Sequence, residues 1–349
     1  MKFRVRGLSL IELLVALTIG SLLIIGAVFV YSQSGRTYTI SDTVARMQEN
    51  ARYAFSILEP DIQLAGYYGF TNSPDDFKFI TGGSTASPIP VSKTRTSSAK
   101  LSGLDAAFHA CGDNFPVDLI ATVEGTNGTY GLACAAQGGG ARDDSDTLTI
   151  RRASVDAVGA TNGRLQLLVS RLSPTNQFIF ADGSLPSEPP LEDDLVEVRN
   201  LVVRTYYVAK ESEFQPGTPA LRVKELTAGG FEDRELLAGV EDLQIQFGID
   251  TGDYDGDGNI DPGVDNNGDN IPDAPSGIAT RYVNPDDVPS GFQVVAVRVW
   301  MLVRAEQPEQ GYVDDRKLEY ADRSYDAPKD GFRRVLVSRT IQLRNARKF

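Results

Sequence analysis

Residues 8–31 form 24 almost unbroken apolar or small positions, with a single carboxylate, Glu12, among them. As a helix this run extends roughly 36 Å, enough to span a bilayer with some tilt. Lys2, Arg4 and Arg6 precede it. Their charge keeps the N-terminus in the cytoplasm and exports everything after residue 31. A secretory signal peptide fits poorly, because the run exceeds a normal apolar region and no small-x-small cleavage site follows it. The helical pattern continues past the span. Ile40, Val44, Met47, Ala51, Phe55, Leu58, Ile62 and Ala65 recur at intervals of three and four. That spacing predicts one apolar face of a long amphipathic helix. Pro60 is expected to kink or end it, with Gly66 as the final stop.

The remainder must then be a water-soluble head. Of 349 residues, 41% are hydrophobic and 23% charged, which excludes wholesale disorder and a polytopic membrane protein. The net charge of −13 argues against nucleic acid as a partner. A lone histidine, His109, excludes multi-histidine zinc and histidine-based catalysis, and reads as a structural or surface residue. No nucleophile triad, phosphate loop or dinucleotide fingerprint occurs in a suitable context, so the chain reads as a non-enzyme.

From residue 67 the pattern changes to period two. Strands are expected over 146–151, 164–169, 195–208, 243–247, 292–303 and 334–343, with loops over 81–103 and 135–146. The fold class is α+β: a helix laid on one face of a mostly antiparallel sheet. Cys111 and Cys134 flank a 22-residue stretch and, in an oxidising compartment, read as a disulfide pinning it.

Glu12 is costly in hydrocarbon, on the order of 2.5–3.5 kcal/mol, and so needs a partner. It lies five residues after Gly7, in Gly7-Leu8-Ser9-Leu10-Ile11-Glu12 behind a short basic leader. This stretch resembles the processing signature of type IV prepilins and type II secretion pseudopilins. The resemblance implies cleavage between Gly7 and Leu8 by a prepilin peptidase and methylation of the new Leu8 amine. It also implies pairing of Glu12 with a neighbouring subunit's N-terminus. Residues 1–7 would be the leader, 8–66 the pilin helix with 8–31 in the membrane, and 67–349 the head. Asp61-Ile62-Gln63-Leu64-Ala65-Gly66-Tyr67-Tyr68-Gly69 resembles the helix-end motif of PilW-type minor pilins. Ser145-Asp146-Thr147-Leu148-Thr149-Ile150, Gly239-Val240-Glu241-Asp242-Leu243, the Val-rich strand ending at Arg304 and Leu343-Arg344-Asn345 resemble that group's later motifs. The resemblance implies a pilin-like fold and a priming or tip complex with other minor and major pilins and the inner-membrane assembly machinery. It further implies an inner-membrane prepilin with a periplasmic head, later in the pilus at the cell surface, supporting twitching motility and adhesion. A type II secretion minor pseudopilin is the nearest alternative.

A second concentrated feature is acidic. Residues 250–273 hold eight aspartates and no Lys or Arg. Asp253, Asp255, Asp257, Asn259 and Asp261 place oxygen ligands at alternating offsets, with Gly258 where a calcium loop turns sharply. Asp265, Asn267, Asp269 and Asp273 form a half-copy twelve residues on. An all-oxygen set favours calcium over zinc. Val264 stands where an EF-hand has its bidentate glutamate, so the pattern is closer to dockerin-like and thrombospondin type 3 loops. A calcium-dependent tip adhesin is the corresponding functional alternative, and a solvated acidic loop the plain one.

Overall fold

A computed structural model describes residues 9–91, 100–172, 177–186, 195–250, 277–289 and 293–346. The helix α1 runs unbroken over Leu10–Gln63. Two halves of different chemistry share it. In the first, the apolar side chains are exposed, Leu10 at 80% and Tyr31 at 83%. Its few hydroxyls are satisfied inside the helix: Thr18 Oγ1 donates to the carbonyls of Leu14 and Val15, and Ser21 Oγ to that of Thr18. Such internal pairing is what a lipid-facing helix requires. In the second half, Met47, Ala51, Ala54, Phe55, Leu58, Asp61 and Ile62 are buried. This is the expected stripe, with Ala54 and Asp61 added.

Pro60, expected to kink or end the helix, lies just inside its end, three residues before Gln63. It sits in the last turn, where only one backbone bond is lost, and its own carbonyl still accepts the Leu64 N–H at 3.0 Å. Leu64 caps the helix. Gly66 follows with φ +74°, a left-handed conformation that turns the chain onto the sheet, and its N–H donates to the Arg151 carbonyl at 3.0 Å.

The head contains two sheets and a hairpin among the described residues, where one sheet was expected. The first sheet comprises β1 (Phe77–Thr81), β2 (Ser84–Pro90), β3 (Val123–Thr126), β4 (Thr147–Ala153), β5 (Asn162–Ser170), β6 (Gln177–Asp182), β7 (Val196–Ala209), β8 (Ala220–Thr227) and β9 (Gly230–Ala238). Its main order is β2-β1-β6-β5-β7-β4-β3, with β8 and β9 continuing from β7. The long β7 serves two neighbours in succession: residues 196–200 pair with β5 and residues 204–209 with β8. The second sheet uses β10 (Val240–Asp250), β11 (Arg281–Val283), β12 (Gln293–Arg304) and, after the hairpin β13 (Lys317–Tyr320) and β14 (Arg323–Asp326), β15 (Arg334–Gln342). Its order is β11-β10-β12-β15, all antiparallel. Among the described residues, β1 and β6 form the one parallel pair.

All six expected strands are present within a few residues of their expected ends. The stretch 81–103, expected to be a loop, instead begins with a hairpin. Gly82 and Gly83 both have positive φ, +62° and +65°, and join Thr81 to Ser84 as a two-residue turn. Pro88 and Pro90 are tolerated because β2 is an edge strand.

The main core lies between the sheets. Phe55, Leu58 and Ile62 of α1 meet Ile150 and Tyr206 from the first sheet and Ile245 and Val299 from the second. Farther up the helix, Met47 and Ala51 pack on Val303 and Ala305, with Val335 and Val337 alongside. A separate core under β1, β5 and β6 buries Tyr68, Phe77, Phe79 and Leu167.

Candidate functional site

The N-terminal end of α1 is set by a reciprocal cap. Ser9 Oγ accepts the Glu12 N–H at 3.2 Å, and Glu12 Oε2 accepts the Ser9 N–H at 3.2 Å. Two backbone donors that the helix cannot satisfy internally are thus bound. Glu12 itself is exposed on the helix surface. Gly7 and Leu8, the residues that would flank the cleavage, lie outside the described residues. Among the described residues, α1 is the helix long and apolar enough to cross a membrane.

At its other end α1 is tied to the head by a buried ionic cluster. Asp61 is 2% exposed. Its Oδ1 accepts from Arg152 Nε at 3.1 Å and Nη2 at 2.7 Å. Its Oδ2 accepts from Arg204 Nη1 at 2.9 Å and from the Tyr206 hydroxyl at 2.5 Å. Burial alone would raise the Asp61 carboxyl, but the Arg204 and Arg152 charges and the Tyr206 hydroxyl outweigh it and hold it below the usual carboxylate range. Arg204 also reaches Glu225 on β8. The last turn of the spine is therefore fixed to β4 and β7. Nearby, Glu59 pairs with Arg339 of β15, whose guanidinium lies 5.1 Å from the centre of the Phe55 ring. Sequence reasoning passed over Asp61 as a functional position. The available signal was a carboxylate on the buried stripe, three residues after Leu58 and one before Ile62.

The later motifs turn out to be joints. Ser145 Oγ accepts the Leu243 N–H at 3.1 Å and donates to the Leu243 carbonyl at 3.2 Å, while the Asp146 N–H donates to the same carbonyl at 2.9 Å. Asp146 then accepts N–H groups from Gly128 at 2.8 Å and Ile245 at 2.7 Å. Burial pushes its carboxyl up to about 7 against the pull of those two donors. These contacts stitch the start of β4 to β10, one sheet to the other. Asp242 is fully buried and accepts from the Tyr320 hydroxyl at 2.6 Å and Arg323 at 3.2 Å, holding the β13–β14 hairpin to β10. Glu241 accepts from Arg334 Nε at 2.5 Å, joining β10 to β15 across β12.

Cys111 and Cys134 form the expected disulfide. His109 is buried, and its Nδ1 accepts the Asn114 N–H at 3.2 Å, so it is a structural loop residue. The candidate calcium ligands Asp253, Asp255, Asp257, Asn259, Asp261, Asp265, Asn267, Asp269 and Asp273 lie outside the described residues. The neck of that segment is described. Asp250 Oδ2 accepts the Gly277 N–H at 2.7 Å, and Thr280 bonds the Ile249 carbonyl.

Two family models match the chain. Residues 2–28 match the prokaryotic N-terminal methylation motif, which with the exposed apolar half of α1 fits a membrane-anchored prepilin. Residues 205–345, from the C-terminal half of β7 to just past β15, match type IV pilus-assembly protein W. Together the two matches are consistent with a PilW-type prepilin and support a type IV pilus-associated minor pilin. Tyr206, Glu241, Asp242 and Arg334 fall inside the second match, whereas Asp61 and the Ser145-Asp146 joint lie outside it. Comparison with curated proteins and with solved structures returned no match.

Proposed function

We propose that this chain is a minor pilin that takes part in priming type IV pilus assembly. It enters the inner membrane as a single-pass prepilin with its head in the periplasm. A prepilin peptidase removes residues 1–7 and methylates the Leu8 amine, and the apolar half of α1 then packs against other minor and major pilins. Glu12 neutralises the amine of a neighbour, which offsets the cost of leaving either charge alone in hydrocarbon. The observation that carries this reading is the join within one helix. Residues 10–31 expose apolar side chains with Glu12 among them, while one face of the second half, Met47, Ala51, Ala54, Phe55, Leu58, Asp61 and Ile62, is buried in the head. Such a helix presents its first half to partners and its second to its own head. The match to pilus-assembly protein W favours the pilus over a type II secretion pseudopilus. The same matches support a structural role for the chain.

Glu12→Ala tests it. Losing one ammonium–carboxylate pair worth about 2.5–3.5 kcal/mol should lower assembly on the order of 100-fold while leader removal continues. Immunoblots of sheared pili and of membranes read the two separately. Normal pilus numbers in this variant would overturn the scheme.

A second reading concerns residues 250–273. We propose that this segment binds calcium through its all-oxygen donor set and so shapes an adhesive surface of the pilus. The Asp250–Gly277 contact supports it, because it brings the two ends of the segment together as a closed loop requires. Calcium at a hundredfold excess over its Kd should stabilise the detergent-solubilised chain by about 2.7 kcal/mol relative to chelator. Identical melting with calcium and with chelator, and no heat on titration, would remove the site.

A further inference from the structure

The face that β3 and β4 turn away from the main core is polar. Glu124 and Thr126 alternate along β3, and Thr147, Thr149 and Arg151 along β4, with Glu124 opposite Thr149 and Thr126 opposite Thr147. Sheets ordinarily give such a face to water. Here Thr147 is 3% exposed, Thr149 2% and Arg151 0%. The cover is the segment joined by the Cys111–Cys134 disulfide, and between cover and sheet lies a cavity of about 400 Å³. Its roof includes Asp113, Phe115, Asp118, Leu132 and Ala133. A cavity of this size is in the range of small-ligand sites. Enclosed polar walls must find hydrogen-bond partners, either water or a ligand rich in polar groups.

The chemistry of the walls selects among ligands. Arg151 already commits four of its five N–H donors within the protein. Its Nε and Nη2 donate to the Phe115 carbonyl at 3.0 and 2.9 Å, Nη1 to that of Ala121 at 2.7 Å, and Nη2 to Glu124 at 2.7 Å. Three carboxylates line the cavity with it: Glu124, which pairs with Arg151, Asp113, which pairs with Lys100 at 3.4 Å, and Asp118. Among the described residues, no group of three or more His, Cys, Asp or Glu side chains is placed to hold a metal ion. The threonine hydroxyls are coupled in pairs, Thr126 with Thr147 at 2.8 Å and Thr149 with Thr205 at 2.7 Å. Carboxylates accept from hydroxyl groups, threonine hydroxyls both donate and accept, and Phe115 and Leu132 offer apolar surface for a C–H face. We propose that this cavity binds a neutral sugar residue. The site is independent of the pilus reading, since it uses neither α1 nor the acidic segment.

Saturation-transfer NMR on the detergent-solubilised full chain tests it, with the methyl glycosides of glucose, galactose, mannose and N-acetylglucosamine as probes. Saturation of the ring protons of at least one probe is expected. The signal should vanish in Ala133→Trp, which fills the cavity from an exposed position, and weaken in Glu124→Gln. Unchanged thermal unfolding of Ala133→Trp confirms that its fold is intact. No transfer to any of the four probes overturns the proposal. So does a signal that survives Ala133→Trp, or transfer seen only with n-propylammonium or methyl phosphate as probe.

Discussion

Replacing Asp61 by alanine is expected to cost about 3–5 kcal/mol of folding stability, the range for breaking a buried ion pair by removing one partner. The Asp61 side chain is 3% exposed and that of Arg152 11%. With the carboxylate gone, Arg152 keeps only its 3.0 Å contact to the Ala153 carbonyl among the hydrogen bonds described above and here, and the buried Tyr206 hydroxyl loses its acceptor. Arg204 retains Glu225, which keeps the loss from being larger. Urea unfolding followed by Trp300 fluorescence measures the effect. A loss under about 1 kcal/mol, as for an exposed pair, would show that the cluster does not anchor the helix. Asp61→Asn keeps the shape but not the charge and should fall between. The pH dependence has a definite sign. Because the folded carboxyl is held below its ordinary value, its contribution is present above the usual carboxylate range and fades as pH falls through the lower folded value. The Asp61→Ala variant should therefore lose stability less steeply in acid than the parent. The position of the cluster gives this a functional reading. α1 meets β4 and β7 at Asp61, so weakening it loosens the head from the spine at the point where the chain leaves the helix.

How much of this is legible in the sequence depends on whether a position obeys a period. Met47, Ala51, Phe55, Leu58 and Ile62 follow the helical repeat, and the structure buries each of them. Asp61 breaks the apolar rule on that same face, and what decides its role is the arrival of Arg152 and Arg204 from strands more than 90 residues away. No local pattern encodes such a meeting. β8 and β9 were missed for a related reason. Arg222, Lys224, Asp233 and Glu235 place charge at alternate positions where a core strand would be apolar, yet Arg222 is 1% exposed and bonds Asp233 at 2.7 Å across the strands. The β1–β2 turn carried a readable Gly-Gly signal, obscured by the Ser- and Thr-rich composition that follows it. The motifs behind the family resemblance were visible as letters, but their work as joints between sheets was not. Ser145 and Leu243 lie 98 residues apart in the chain and meet only where the two sheets do.

The second large effect is expected at Arg334, whose side chain is fully buried among three carboxylates. Its Nε reaches Glu241 at 2.5 Å, Nη1 reaches Asp330 at 2.7 Å and Asp314 at 3.3 Å, and Nη2 reaches Asp330 at 2.8 Å. Arg334→Ala leaves the buried Glu241 with Arg142 at 3.4 Å, a partner too distant for a strong charge-assisted bond, and the nearby charge of Arg304. A cost of about 3–5 kcal/mol follows, again because uncompensated buried charge is worse than none. Arg334→Lys should recover little of it, since a single ammonium cannot reproduce the fork that serves Glu241 and Asp330 together. Salt should not alter the difference, because buried pairs are screened weakly. Hydrogen bonds from Arg316 first, with burial opposing and Arg334 adding, hold the Asp314 carboxyl down to about 2. Its stabilisation is full above the ordinary carboxylate range and is lost as pH falls toward 2, so removing Arg334 should move the acid unfolding midpoint upward. Urea melts across pH and salt test all of this, and a stable Arg334→Lys variant would refute the fork argument. The consequence reaches the spine. Arg334 opens β15, and Val335 and Val337 of that strand pack beside Met47 and Ala51 of α1. A detached β15 removes the second surface on which the helix rests, after Asp61 has fixed the first. Either substitution alone should therefore leave a processed, membrane-inserted chain whose head no longer holds a fixed orientation on α1, and each should reduce incorporation into pili even with Glu12 intact.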